Sequence, residues 1–147
     1  MIGEHGDGQV ALLSTARIAG IPLEEFCAQQ DLPHEPVSLK TITNETRAAG
    51  LQILQAKGAS YYGIGAALVR IVSAILRDEH AVLTVSSLVP EAMNLGEVCL
   101  SLPSVINREG VARVLSIPLN EAEKQAVHLS AESLKCYIAT LDRHDGQ

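Results

Sequence analysis

Hydrophobic and polar positions change period three times along the chain. Gly3 to Gly8 is polar and glycine-rich and reads as a loop, since glycine reaches backbone angles that other residues avoid. Gln9 to Ala19 is apolar with weak alternation and predicts an extended, strand-like segment, which Gly20 and Pro22 then break. Two prolines make residues 31–36 a surface loop. Apolar residues next recur at helical spacing. Leu39, Ile42, Ala49, Ile53 and Leu54 predict a helix starting near Val37 or Ser38 and ending at Gly58, with Lys57 a favourable charge at its C-terminus. Gly50 inside it costs up to about 1 kcal/mol relative to alanine. A second helix is predicted from about Ser60 to Asp78, with Ile64, Leu68, Ile71, Val72 and Ile75 on one apolar stripe. Gly63, Gly65, Ala66 and Ala67 keep its first turns slim enough for another backbone to come close.

The pattern then changes to Val-rich, strand-like runs. Ala81–Leu88, Val98–Leu102 and Ala112–Leu119 predict strands, separated by turn residues at Asn94–Gly96 and Asn107–Gly110. The last helix is the most sharply marked: Asn120 can cap it, Glu123 completes a variant of the capping box, and Val127, Ala131, Leu134, Ile138 and Leu141 share a face. A polar tail, Arg143–Gln147, follows. With no internal repeat and no low-complexity linker, the layout is a single α+β domain over residues 1–147.

Composition narrows the function classes. At 147 residues the chain holds one core, and 47% hydrophobic with 19% charged residues is the balance of a globular protein. A formal net charge of −6 without a basic block argues against nucleic acid as a partner. No apolar run reaches the roughly 18 residues of a membrane span, and Arg70 and Arg77 interrupt the longest candidate. Met1 to Gly8 lacks the layout of a signal peptide, so a cytoplasmic location is the expectation. Cys27, Cys99 and Cys136 are odd in number and form no Cys-x-x-Cys pair, which suggests buried thiols rather than a disulfide framework or a zinc site.

His5, set between Glu4 and Gly6 with Asp7 nearby, is the constellation with catalytic character. Imidazole both gives and takes a proton near neutral pH, and a carboxylate beside it would fix its tautomer. The alternative is a solvent-exposed histidine in a polar loop. A metal site of Glu4, His5 and Asp7 is disfavoured, because near-adjacent residues rarely converge on one ion.

Ile2-Gly-Glu-His-Gly-Asp7 resembles the active-site signature of the lactate and malate dehydrogenase family. Val10 to Leu23 is similar to the segment that follows it there. Lys57 to Gly65 resembles the family's KGATYYGIG helix start, and Leu76–Ser87, Val98–Gly110 and Ile117–Glu123 continue the match in order across essentially the whole chain. The resemblance implies the family's C-terminal domain, antiparallel strands with packed helices, and places His5 as catalytic proton donor and acceptor. It makes Ser60 a substrate-pocket residue where threonine is usual, and Ile64 the apolar neighbour of the nicotinamide ring of NAD. Gly6 and Asp7 shape the loop. Gly8 departs from the usual serine or threonine and is expected to loosen it. His5 is therefore expected at a concave face lined by Ser60 and Ile64.

The implied reaction reduces pyruvate to L-lactate: hydride from NADH reaches the keto carbon while protonated His5 donates to the keto oxygen. The implied partners are a small 2-keto or 2-hydroxy acid and, in a full-length enzyme, further copies of itself. Three elements of the family site match nothing in these residues: the Gly-x-Gly-x-x-Gly turn of a dinucleotide-binding domain, the aspartate that pairs with the histidine, and the arginine that clamps the substrate carboxylate. The chain alone is accordingly expected to be inactive. L-malate dehydrogenase of the lactate-dehydrogenase-like type is the first alternative, disfavoured by the helix start Ala59–Gly65 and a presumed strand end at Gly20–Phe26. A stand-alone, non-catalytic assembly module is the second. DNA upstream of Met1 would separate truncation from a module.

Overall fold

A computed structural model describes residues 1–32 and 36–141. A two-residue antiparallel ladder comes first, β1 (Arg17–Ile18) with β2 (Ile21–Pro22). Ala19 and Gly20 join them at φ 51° and 85°, the positive pair that a tight hairpin turn requires. Helices α1 (Leu23–Gln29), α2 (Pro36–Lys57) and α3 (Tyr62–Leu76) follow. Then come β3 (Ala81–Leu88), a 3₁₀ turn at Glu91–Met93, β4 (Cys99–Asn107), β5 (Gly110–Val114) and α4 (Glu121–Leu141). β3, β4 and β5 form one antiparallel sheet in that order.

The sheet positions the rest. In β4, Leu100, Leu102, Ser104 and Ile106 alternate onto one buried face. Ile2, Val10, Val89, Leu95, Val98, Leu100, Leu102, Val127 and Ala131 make the core, which joins β4 to α4 and to the first ten residues of the chain. Along its other edge, β4 pairs with β5 only as far as Ser104. Gly3 then takes over, exchanging two backbone hydrogen bonds with Ser101, at 3.0 and 2.9 Å. Pro103 falls between these partners, where its missing N–H costs no ladder bond. Its carbonyl still accepts the Leu115 N–H at 2.8 Å.

Several expectations are corrected. Gln9–Ala19 is not a strand, apart from an isolated bridge of Val10 to Ile2 and the two residues of β1. Two of its backbone groups go to side chains, the Gln9 carbonyl accepting from the Arg47 guanidinium and the Ser14 N–H donating to Glu123, while others bond within turns and to Ile2 and Leu23. The presumed strand end at Gly20–Phe26 contains β2 and the start of α1, which Pro22 can open because the first turn needs no N–H there. β4 runs five residues beyond Leu102, and β5 stops at Val114 rather than Leu119, where the chain turns Ile117 and Leu119 toward the core. α3 is two residues shorter at each end than expected. Of the three thiols only Cys27 is buried; Cys99 and Cys136 are exposed. The predicted loop at 31–36 and the polar tail lie partly and wholly, respectively, outside the described residues. No described helix is long and apolar enough to cross a membrane.

The start of α4 forms a capping box. Asn120 Oδ1 accepts the Glu123 N–H at 2.8 Å, and Glu123 Oε2 accepts the Asn120 N–H at 3.0 Å. Glu123 also accepts from the N–H and hydroxyl of Ser14, at 3.0 and 2.5 Å, tying the helix to the N-terminal segment. Burial acts to raise its carboxyl pKa, but the bonds from Ser14, Asn120 and Leu13 outweigh it and hold the group below its ordinary 4.5. A depressed folded pKa means that this stabilisation is present above pH 4.5 and is lost as pH falls through the lower folded value. Glu123→Ala removes the cap and strands several donors, and should cost about 2–4 kcal/mol at neutral pH. Urea unfolding of both forms at pH 7 and pH 3 checks this: the difference between them should shrink in acid. An equal difference at both pH values would remove the charge from the explanation.

Candidate active site

His5 lies in a tight turn whose two arms are fixed. On one arm Ile2 pairs with Val10 through two 2.9 Å backbone bonds, both side chains being buried, and Gly3 is stitched to β4. Within the turn the Gln9 N–H reaches the Gly6 carbonyl at 3.3 Å. Glu4 closes the turn by accepting the Gly8 N–H on Oε1 at 2.6 Å, while its own N–H donates to the Ser130 hydroxyl at 2.8 Å. Ser130 is fully buried on α4. Gly3, at φ +93°, lets that hydroxyl in, since a Cβ there would stand 2.6 Å from Oγ.

The geometry revises two expectations. The Glu4 carboxylate serves the Gly8 amide, not the imidazole. Gly8, expected to loosen the turn, is bonded within it through its N–H. Among the described residues the His5 side chain makes no hydrogen bond or ion pair, and it is exposed, as are Gly6 and Asp7. Its two nitrogens are thus open to a substrate atom from outside.

Ser60, two residues ahead of α3, and Ile64, in its first turn, are both exposed, with Ile64 at 51%. No hydrogen bond joins them to His5. Three concavities, of about 500, 450 and 560 Å³, are lined by other residues. The third lies beside the segment that follows His5, between Leu39, Thr43 and Arg47 of α2 and Asn120 and Ala126 of α4. A Cβ at Gly63 or Gly65 would meet nothing within 4 Å. The slim turn expected to receive another backbone receives none among the described residues.

Of the residues that hold the turn, Glu4 is marked in the sequence, though as a partner of the imidazole; Ser130 and Arg47 are not. Ser130 carried one signal, a hydroxyl on the apolar face of α4. Arg47, which reaches the Gln9 carbonyl from α2, carried none.

Residues 1–143 match the family described as lactate/malate dehydrogenase, alpha/beta C-terminal domain. The chain is 42% identical over 142 residues to the L-lactate dehydrogenase of Acetivibrio thermocellus, a match spanning 97% of this chain and 45% of that protein. Among solved structures it is similar to Cryptosporidium parvum malate dehydrogenase, with a TM-score of 0.89 and 28% identity over 97% of this chain and 45% of that one. It is also similar to the lactate dehydrogenase of the same organism complexed with lactic acid and nicotinamide adenine dinucleotide, with a TM-score of 0.88 and 26% identity over 96% of this chain and 44% of that one. The chain thus spans about 45% of the length of the curated relatives it matches. With this fold and these matches, the chain belongs to the lactate/malate dehydrogenase family and has that family's α/β C-terminal domain.

Proposed function

We propose that this domain is the substrate-binding half of an NAD-dependent L-lactate dehydrogenase, with His5 as proton donor and acceptor. The observation that carries this reading is the 42–45% identity to L-lactate dehydrogenases across nearly the whole chain. The pinned turn and the open imidazole at its apex support it. Hydride transfer is the chemistry that a bound nicotinamide cofactor supplies. Ile64 and its flanking glycines would carry the ring. Protonated His5 would hydrogen-bond the keto oxygen of pyruvate and give up its proton as negative charge develops there; neutral His5 would take the proton from the hydroxyl of L-lactate. The Ser60 hydroxyl would line the pocket. A cytoplasmic location and homo-oligomeric assembly belong to the same reading and rest on the family resemblance.

One observation favours a second reading. The likeness to a malate dehydrogenase structure has a TM-score of 0.89, so the fold accommodates that substrate class equally well. Against it stands the 42–45% identity to curated L-lactate dehydrogenases, compared with 28% for that malate dehydrogenase.

The isolated chain, assayed for NADH oxidation with pyruvate, should show no turnover above a His5→Gln control. Holding cofactor and substrate together is worth about 7–11 kcal/mol in well-oriented cases, and these residues have no dinucleotide-binding turn to do so. Joined to the part of the Acetivibrio thermocellus protein that the match leaves out, the chain should oxidise NADH when pyruvate is added. Turnover by the isolated chain, or a joined protein that folds and binds NADH yet leaves pyruvate untouched, would count against the reading.

A further inference from the structure

What glycine leaves open at position 8 is space rather than a special backbone angle. Gly8 lies outside the positive-φ range that only glycine reaches easily, unlike Gly3 at φ +93°. A Cβ built on Gly8 would instead stand 2.4 Å from Glu4 Oε1 and 3.0 Å from the carboxyl carbon. That oxygen is the one accepting the Gly8 N–H at 2.6 Å. At Gly6 a Cβ would approach the same oxygen to 3.4 Å. The carboxylate therefore fills the space that a side chain at position 8 would need. It is a charged acceptor on a backbone donor, the stronger kind of hydrogen bond. On the other side of the turn, the Glu4 N–H is held by the buried Ser130 hydroxyl at 2.8 Å.

We propose that Glu4 is a positioning residue for His5, its carboxylate pinned to the Gly8 N–H in the space that position 8 leaves open, and its own N–H pinned to Ser130. The bearing of this clamp on catalysis rests on the reading of His5 as the proton carrier. The clamp itself does not.

Two arms of one experiment separate these. In the ¹⁵N-labelled 147-residue chain, Glu4→Ala should accelerate amide hydrogen exchange at residue 8 on the order of tenfold or more. Glu4→Gln keeps a side-chain oxygen acceptor and should recover much of the protection. Gly8→Ala should displace the carboxylate and match the effect of Glu4→Ala, and the double variant should lose no more than either alone. Unchanged exchange in Glu4→Ala, or full additivity in the double variant, would overturn the clamp; Gly8→Ala and Glu4→Gln, each a small change, keep the arm readable if Glu4→Ala does not fold. In the joined protein, Glu4→Ala should lower kcat about tenfold with KM within about twofold, and Glu4→Gln should restore most of it. An unchanged kcat alongside lost amide protection would overturn the link to His5. A wild-type joined protein without turnover is failure of the function reading, and the exchange arm would still decide the clamp.

Discussion

Replacing His5 with glutamine in the joined protein should slow pyruvate reduction at least about 100-fold, the lower end for loss of a general acid. Glutamine can donate a hydrogen bond to the keto oxygen but cannot surrender a proton as the alkoxide forms, so it should spare substrate binding more than turnover. The turn should survive the change, because it is held by Glu4, Ser130 and the Gly3–Ser101 pairing rather than by the imidazole. Ser60→Thr serves as the comparison. It keeps a hydroxyl at an exposed position just ahead of α3 and should alter the rate far less. Steady-state rates of NADH oxidation at saturating pyruvate decide both, and a near-normal rate for His5→Gln would move proton transfer to another group.

The isolated chain should self-associate. Along α3 the positions Ile64, Leu68, Val72 and Leu76 form a stripe facing solvent, with Leu68 at 56% exposure and Leu76 at 79%. Ile42, Leu51 and Leu54 of α2 are similarly open. Large contiguous apolar surface on a folded chain marks an interface or an aggregation hazard. At about 25 cal/mol per Å², each 100 Å² of such surface covered by a second copy contributes on the order of 2.5 kcal/mol before the cost of association. Size-exclusion chromatography with light scattering should therefore show species above 15.6 kDa whose share grows with concentration. The variant Leu68→Lys with Val72→Lys should shift the population toward monomer. A sharp monomer peak for the unaltered chain at all concentrations would mean that the stripe is tolerated alone, as in an independently evolved module.

That same stripe shows where sequence and structure part company. The spacing of Ile64, Leu68, Ile71, Val72 and Ile75 predicted α3, two residues too long at each end, and periodicity says only which residues share a face. Ala74 and its neighbours Ile71 and Ile75 turn inward while Leu68 and Leu76 stay out, a distinction that depends on where β4 lies. Strand β3 and helix α4 were legible because their signals are local: a run rich in valine and other strand formers from Ala81 to Leu88, and a cap three residues ahead of its partner. Helix α1 was not, since seven residues are too few to display a helical period. β4 looked broken at Pro103 because its edge partners, β5 and Gly3, cannot be read from composition. The turn around His5 was visible from its glycines. What pins it was not, because Ser130 is 126 residues from Glu4 and their hydrogen bond exists only once α4 has packed on the first strand-like residues.

The most direct measurement is the position of the imidazole against substrate in a crystal of the joined protein with NADH and a non-reactive pyruvate analogue. The account expects a His5 ring nitrogen within about 2.6–3.2 Å of the oxygen that stands for the keto group, with Ser60 and Ile64 lining the same pocket. An analogue bound with His5 turned away to solvent, and another side chain at that oxygen, would contradict it.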